Sequence, residues 1–202
     1  MTMLIDLQKY IPPESREPWS SWWWDGELTI AFGHATCGWI QLALMTTTWS
    51  QGVIIQCSEP WSPFGNMANW LADIADRRFP AIWKIDEEGR HRTLIAAAEE
   101  NDKVDFQVWE EDPDTHPSPP PKLGFRTRLD RMQLLREFHR KFSQYVKEDF
   151  DIGEWTPPSP WNTPEDLATI DLSRVADEIK KFPKAGPARK NRKGVRRKDF
   201  PA

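Results

Sequence analysis

The chain of 202 residues carries a formal net charge of −4, with 39% hydrophobic and 29% charged residues. This length predicts one domain with an appendage, and the composition is that of a globular protein. No apolar run approaches about 18 residues, so we expect no membrane-spanning helix and no membrane partner. The first fifteen residues lack the pattern of a secretory signal, and we therefore expect a cytoplasmic protein.

Charge is distributed unevenly along the chain. Residues 180–202 contain ten basic residues and one acidic residue, a net charge of +9, so residues 1–179 carry −13. Such asymmetry predicts an electrostatic partner, docking of the basic segment on the acidic body, or both.

Composition divides the chain into four parts. Residues 1–24 form an N-terminal arm rich in tryptophan and proline, and residues 25–150 an α+β domain. Residues 151–182 form a connector containing proline and tryptophan, with a C-terminal helical segment. Residues 183–202 are basic and contain almost no aliphatic side chains, so we expect a disordered tail.

The first half of the domain has the pattern of a meander followed by a helix. Apolar residues alternate or cluster in three predicted strands, at 27–32, 39–46 and 53–57. A helix is predicted over 63–77, with Ser62 as its N-cap and Pro63 at its first position.

A second meander follows, with predicted strands at 81–86, 90–99 and 103–110 and a short edge strand at 123–128. In the third of these strands Asp105 and Gln107 alternate with apolar residues, so one face is expected to be wet. The clearest helix is predicted over 130–148, with Asp130 as its N-cap, and a weaker helical stretch reaches Lys181.

These elements predict an α+β fold, an antiparallel sheet of six to seven meander strands with two main helices packed on one face. Short turns join most of the strands, which argues against a parallel sheet. The predicted turn at 48–51 places Cys57 opposite Ile40 or Gln41 and too far from Cys37 for a disulfide, so we expect two reduced thiols.

Motifs of catalysis are missing from the sequence. It contains no glycine-rich phosphate loop, no nucleophile elbow and no metal-binding motif, so we expect no enzymatic activity, no cofactor and no metal. His34 and Cys37 lie three residues apart in one turn and are a candidate for metal or thiol chemistry. The alternative is an ordinary hairpin turn.

Two acidic groups are candidates for holding a basic partner, because carboxylates on an acidic body steer such a partner and hold it. The alternative interpretation is that both are solvated turns. The candidate residues are Asp86, Glu87, Glu88, Glu110 and Glu111.

Tryptophan is unusually frequent, with twelve residues. Trp70, Trp83 and Trp109 lie in predicted elements and are expected to pack in or near the core, whereas Trp155 and Trp161 lie in a connector where complete burial is difficult. The candidate anchors for a partner are Trp19, Trp22, Trp23, Trp24 and Trp61. Such residues anchor interfaces, stack on sugars or bases, or pin long loops onto the body, and all three interpretations stay open.

The basic tail has three interpretations: binding of nucleic-acid phosphates, contact with an acidic protein, or no specific role. Only Phe182 and Phe200 flank its charges, so the aromatic interleaving common in nucleic-acid binding is missing. The candidate nucleic-acid residues are Arg189, Lys190, Arg192, Lys193, Arg196, Arg197 and Lys198.

The layout of residues 25–155 resembles that of small uncharacterised bacterial α+β proteins, some of which resemble immunity proteins of polymorphic toxin systems. The landmarks are Asp25-Gly26-Glu27-Leu28 before a meander, Ser62-Pro63-Phe64 opening a helix with Trp70-Leu71, Asp86-Glu87-Glu88-Gly89 between strands, and Phe138, Phe142 and Tyr145 in a closing helix. The resemblance implies no catalytic residue.

Two functions are therefore predicted. The first is a non-catalytic, immunity-like bacterial binding protein whose acidic body and exposed aromatic residues mask a protein partner. The alternative is a nucleic-acid-associated accessory protein recruited through its basic tail. The identity of the partner and the oligomeric state stay open.

Overall fold

The computed structural model describes residues 28–46, 52–112, 116, 119–156 and 166–182. The predicted α+β class is confirmed, with seven antiparallel strands in two sheets. The first sheet has the order β1-β2-β3, formed by β1 (Leu28–Phe32), β2 (Trp39–Thr46) and β3 (Gly52–Ser58). The second has the order β4-β5-β6-β7, formed by β4 (Ala81–Asp86), β5 (His91–Ala98), β6 (Lys103–Glu111) and β7 (Lys122–Asp130).

The division into two sheets differs from the predicted single sheet. Its cause is the helix α1 (Phe64–Ala75), which separates β3 from β4 in the chain. Because a helix rather than a tight turn links them, β3 and β4 do not pair. The strands of each meander are hydrogen-bonded only to one another.

Three further helices complete the described part of the chain: α2 (Arg131–Glu148), α3 (Ile152–Trp155) and α4 (Ser173–Lys181). The cap of α2 is confirmed, since the backbone N–H of Gln133 donates to Asp130 Oδ1 at 3.0 Å. The cap predicted for α1 is wrong, because Pro63 rather than Ser62 occupies the N-cap position and α1 has no side-chain cap.

One hydrophobic core joins both sheets and the helices. Trp70 of α1 lies with its ring centroid 5.0 Å from Phe138 of α2 and 5.6 Å from Trp83 of β4. The indole N–H groups are also paired, Trp70 Nε1 with the carbonyl of Ala81 at 3.2 Å and Trp83 Nε1 with that of Pro63 at 3.1 Å. Burial of Trp70 and Trp83 is confirmed.

Residues 151–156 and 166–182 contribute to this core. Trp155, expected to resist complete burial, is fully buried with its ring edge-on to Phe64 at 5.6 Å. Leu167 and Val175 are also buried. The short helix α3 turns Trp155 inward, and proline content alone could not indicate this.

Arg131, the first residue of α2, joins four elements although only 1% of its side chain is exposed. Its Nε donates to Asp102 Oδ1 at 2.8 Å, and its Nη2 donates to Glu178 Oε1 of α4 at 3.0 Å. Its Nη1 donates to the carbonyl of Ala75, the last residue of α1, at 3.2 Å. Arg131 therefore caps α1 and ties α4 and the β5–β6 turn to α2.

The cysteine prediction is confirmed. Cys57 pairs with Ile40 across β2 and β3, and both cysteines are free. Cys57 is buried in the core, and this burial raises the pKa of its thiol far above the ordinary range, whereas Cys37 is exposed.

The prediction of a wet face on β6 is wrong. Asp105 and Gln107 lie on the predicted face, but they are only 5% and 3% exposed. Their polar atoms are paired within the fold, Gln107 Nε2 donating to Asp105 Oδ2 at 2.6 Å, which makes their burial tolerable.

Candidate functional site

Strand pairing brings the two acidic groups together at one end of the four-stranded sheet. Asp86, Glu87 and Glu88 lie at the β4–β5 turn, and β6 runs antiparallel to β5, so its C-terminal end returns to that turn. In this register Glu110 faces Arg92 and Glu111 faces His91.

Glu87 and Glu110 form an internal ion-pair network with Arg92. The Arg92 side chain is 8% exposed, and it donates from Nε to Glu87 Oε2 at 2.9 Å and from Nη1 to Glu110 Oε2 at 2.6 Å. The other oxygen of Glu87 accepts from the backbone N–H of Gln56 in β3 at 2.6 Å. Glu87 thus connects the two sheets, and Arg92 neutralises the charge of both carboxylates locally.

Asp86 stabilises the turn itself. Its Oδ1 accepts from the backbone N–H groups of Glu88 at 2.8 Å and Gly89 at 3.4 Å. Glu88 and Gly89 both have positive φ, 57° and 105°, and an aspartate preceding such a turn favours this conformation. His91 Nε2 lies 3.6 Å from Asp86 Oδ2.

Glu88 and Glu111 are the two predicted carboxylates without such a structural role. Glu88 is exposed and Glu111 is partly exposed. Within the described residues neither forms an ion pair with a cation. They therefore contribute uncompensated negative charge to this end of the molecule.

The two most exposed large hydrophobic side chains in the described part of the chain flank these carboxylates. Trp61 is 60% exposed and lines a groove of about 480 Å³ with Asp86, His91 and Glu111, and with one cation, Lys84. Ile54 is 56% exposed and lines a second groove, of about 610 Å³, with Glu88. We name the region formed by Ile54, Trp61, Glu88 and Glu111 the acidic surface.

Ile54 is a member of this surface that sequence reasoning missed. It lies in β3, within the run Val53-Ile54-Ile55, which is apolar on both faces of the strand. Alternation is the signal that separates a buried face from an exposed one, and a continuous apolar run does not contain it.

Other predicted site residues lie outside the described residues. They are the arm tryptophans Trp19, Trp22, Trp23 and Trp24, and the tail residues Arg189, Lys190, Arg192, Lys193, Arg196, Arg197 and Lys198.

The turn containing His34 and Cys37 is exposed. The backbone N–H of Cys37, with φ of 50°, faces Glu154 Oε2 at 3.5 Å. Across the described residues, no group of three or more histidine, cysteine, aspartate or glutamate side chains is arranged to hold a metal ion.

A third groove, of about 620 Å³, lies between α2 and β1 and is basic in character. Two of its cations are already engaged, since Arg136 donates to the carbonyl of Phe182 and Arg140 donates to both oxygens of Glu137. Burial lowers the pKa of His139. The basic residues that line this groove are Arg136, His139, Arg140 and Lys141.

Comparison with protein-family models, with curated proteins and with solved structures found no match to this chain. Among the described residues, no helix has both the length and the apolar character needed to cross a membrane.

Proposed function

We propose that this protein is a non-catalytic, immunity-like binding protein that masks a basic segment of a partner protein with its acidic surface. The observation that carries the proposal is the position of two carboxylates that form no ion pair among the described residues: Glu111 lines a groove with the exposed Trp61, and Glu88 lines a second groove with the exposed Ile54. A charged centre beside apolar anchors is the arrangement that gives both specificity and slow dissociation.

The groove beside Trp61 fits a lysine or arginine side chain of the partner. The aliphatic stem would lie against the indole ring, where a nearby cation gains a favourable interaction with the ring face. The cationic head would lie near Glu111 and Asp86, which line the same groove. Negative charge on this end of the body would also accelerate association with a basic partner.

The mechanism is occlusion of the partner's basic segment, with no chemical step. We propose that this interaction takes place in the cytoplasm, where the exposed Cys37 thiol stays reduced. The arm tryptophans are further candidate anchors, and the interface proposed here does not require them.

The test begins with capture of the partner from the native host by the full-length chain and its identification by mass spectrometry. The association and dissociation rates are then measured by surface plasmon resonance for the wild type and two site variants. Glu88→Gln/Glu111→Gln should lower the association rate about tenfold and weaken its salt dependence. Trp61→Ala should raise the dissociation rate by about thirtyfold, as for an anchor worth about 2 kcal/mol.

Two matched controls remove the same chemical groups elsewhere. Glu100→Gln removes an exposed carboxylate at the β5–β6 turn, the opposite end of the sheet, and Ile152→Ala removes an exposed apolar side chain on α3. Both should leave the two rates within about twofold of the wild type. Unchanged rates in both site variants, or a partner whose contact surface is acidic, would contradict the proposal.

A second candidate is recruitment to nucleic acid through the basic tail, favoured by the charge of +9 on residues 180–202. Seven tail cations bound to phosphates would give a plot of log affinity against log salt with a slope of about −6. We expect the wild type to bind duplex DNA with such a slope and a chain ending at residue 182 to lose binding. Binding that survives the truncation would reject this candidate.

A further inference from the structure

The four-stranded sheet has a face that is buried although the hydrophobic core lies on its other side. Trp83 and Phe106 point from the sheet towards Trp70 and Phe138 of the two long helices, so this is the inner face. Alternation along the strands places the following residues on the opposite, outer face: Ile82, Lys84, Thr93, Ile95, Ala97, Asp105, Gln107, Trp109, Arg126 and Arg128.

On the edge strand β4 this face is exposed, at Ile82 and Lys84. On β5, β6 and β7 the exposure is far too low for a sheet face in water. Ile95 is 5% exposed, Gln107 3% and Trp109 2%. The apolar residues Ile95, Ala97 and Trp109 are buried but do not belong to the hydrophobic core cluster. We therefore infer that a second layer covers the outer face of the sheet.

A chain of hydrogen bonds crosses this face. Trp109 Nε1 donates to Gln107 Oε1 at 2.8 Å, and Gln107 Nε2 donates to Asp105 Oδ2. Arg126 closes the chain with two bonds to the Asp105 carboxylate, at 2.9 and 2.8 Å. Hydrogen bonds in such a network are stronger when water is excluded, so a covering layer would increase the network's contribution to stability.

We propose that residues 1–27, the N-terminal arm together with the three residues that join it to β1, lie across the outer face of β5, β6 and β7 and supply this cover. The arm leads directly into β1 and contains eleven large apolar residues, among them four tryptophans. The remaining stretches outside the described residues together contain four: Trp49, Trp161, Val195 and Phe200. Only the arm has enough apolar surface for a layer of this kind.

The dimensions agree with this assignment. Twenty-seven residues reach about 90 Å when extended, whereas a face of three strands of eight residues measures about 27 Å by 10 Å. Four tryptophan side chains bury about 600–1000 Å² in total, which exceeds the roughly 270 Å² of that face. The arm tryptophans then belong to the fold, and the partner-binding role rests on Trp61.

The first test measures the intact wild-type chain by hydroxyl-radical footprinting and mass spectrometry. Trp61, which is 60% exposed, provides the internal reference. We expect Trp19, Trp22, Trp23 and Trp24 to oxidise at least fivefold more slowly than Trp61. Oxidation of the arm tryptophans at the rate of Trp61 would overturn the proposal.

The second test measures access to the outer face by thiol labelling. Ile95→Cys introduces a thiol there in a Cys37→Ser background, and buried Cys57 remains as an internal monitor of unfolding. We expect the introduced thiol to react slowly in the intact chain. Adding Trp22→Ala/Trp23→Ala/Trp24→Ala should raise its rate at least tenfold while Cys57 stays unreactive.

The matched control is Trp161→Ala, which removes a tryptophan from another undescribed stretch and should leave the labelling rate unchanged. If the triple variant exposes Cys57, the three single substitutions replace it. A rate unaffected by the arm substitutions, or raised instead by Trp161→Ala, would overturn the proposal. A rate that rises on dilution of the protein would assign the cover to a second copy of the chain and would also overturn it.

Discussion

Replacing Arg131 with methionine is expected to lower the free energy of unfolding by about 3 kcal/mol. The substitution keeps the aliphatic volume but removes the buried cation that pairs with two carboxylates, Glu178 with a 13% exposed side chain and Asp102 with 30%. Each carboxylate then keeps only an exposed partner, Lys181 for Glu178 and Arg77 for Asp102. Removing one partner of a buried ion pair costs about 3–5 kcal/mol. The lower figure applies because water still reaches Asp102. The loss of the hydrogen bond to the carbonyl of Ala75 adds about 1 kcal/mol at most.

Urea unfolding followed by far-UV circular dichroism measures this effect. With an m-value of about 2 kcal/mol/M, a loss of 3 kcal/mol moves the midpoint down by about 1.5 M. The double variant Arg131→Met/Glu178→Gln also removes the less exposed of the two carboxylates and should recover about 1–2 kcal/mol relative to the single variant. A single variant within 1 kcal/mol of the wild type, or a double variant less stable than the single one, would refute the reasoning.

Three other outcomes follow from burial and charge. A thiol reagent should modify Cys37 rapidly and Cys57 only after unfolding, because burial both blocks Cys57 and raises its pKa; two fast equivalents would contradict this. Trp155→Ala should lower the free energy of unfolding by about 3–5 kcal/mol in the same urea assay, since Trp155 is fully buried, and a loss below 1 kcal/mol would show that its cavity collapses. Burial opposes ionisation of Glu178, but hydrogen bonds from Arg131 and Lys181 to its carboxylate outweigh this effect. They hold the pKa of Glu178 below the ordinary 4.5. That stabilisation is complete above about pH 4.5 and is lost as the pH falls through the lowered folded pKa, so Glu178→Gln should flatten the acid limb of stability against pH.

Local pattern was sufficient for most of the secondary structure. The predicted strand at 39–46 and the strand β2 coincide, and α2 begins one residue after its predicted cap, Asp130. The predicted turn placed Cys57 opposite Ile40 or Gln41, and the pairing of β2 with β3 shows that the partner is Ile40. These successes share a cause: periodicity, capping and turn length act over a few residues.

The candidate site was predictable in part. The acidic residues were recognised by their density, and antiparallel pairing of β5 with β6 implies that the two groups meet. The sequence did not indicate which of these carboxylates form ion pairs. Arg92 pairs with Glu87 and Glu110, whereas it does not pair with Glu88 or Glu111. That difference depends on the register of β5 and β6, which places Arg92 opposite Glu110 and His91 opposite Glu111.

The sequence by itself determined the elements, the acidic and basic segments and the two free thiols, because each depends on local spacing or on composition. Only the tertiary structure decided that the strands form two sheets, that Trp155 is buried and that Asp105 lies in a buried hydrogen-bond network. Alternation shows which residues share a face of a strand. It does not show whether that face is covered, and this is why the face of β6 predicted to be wet is buried.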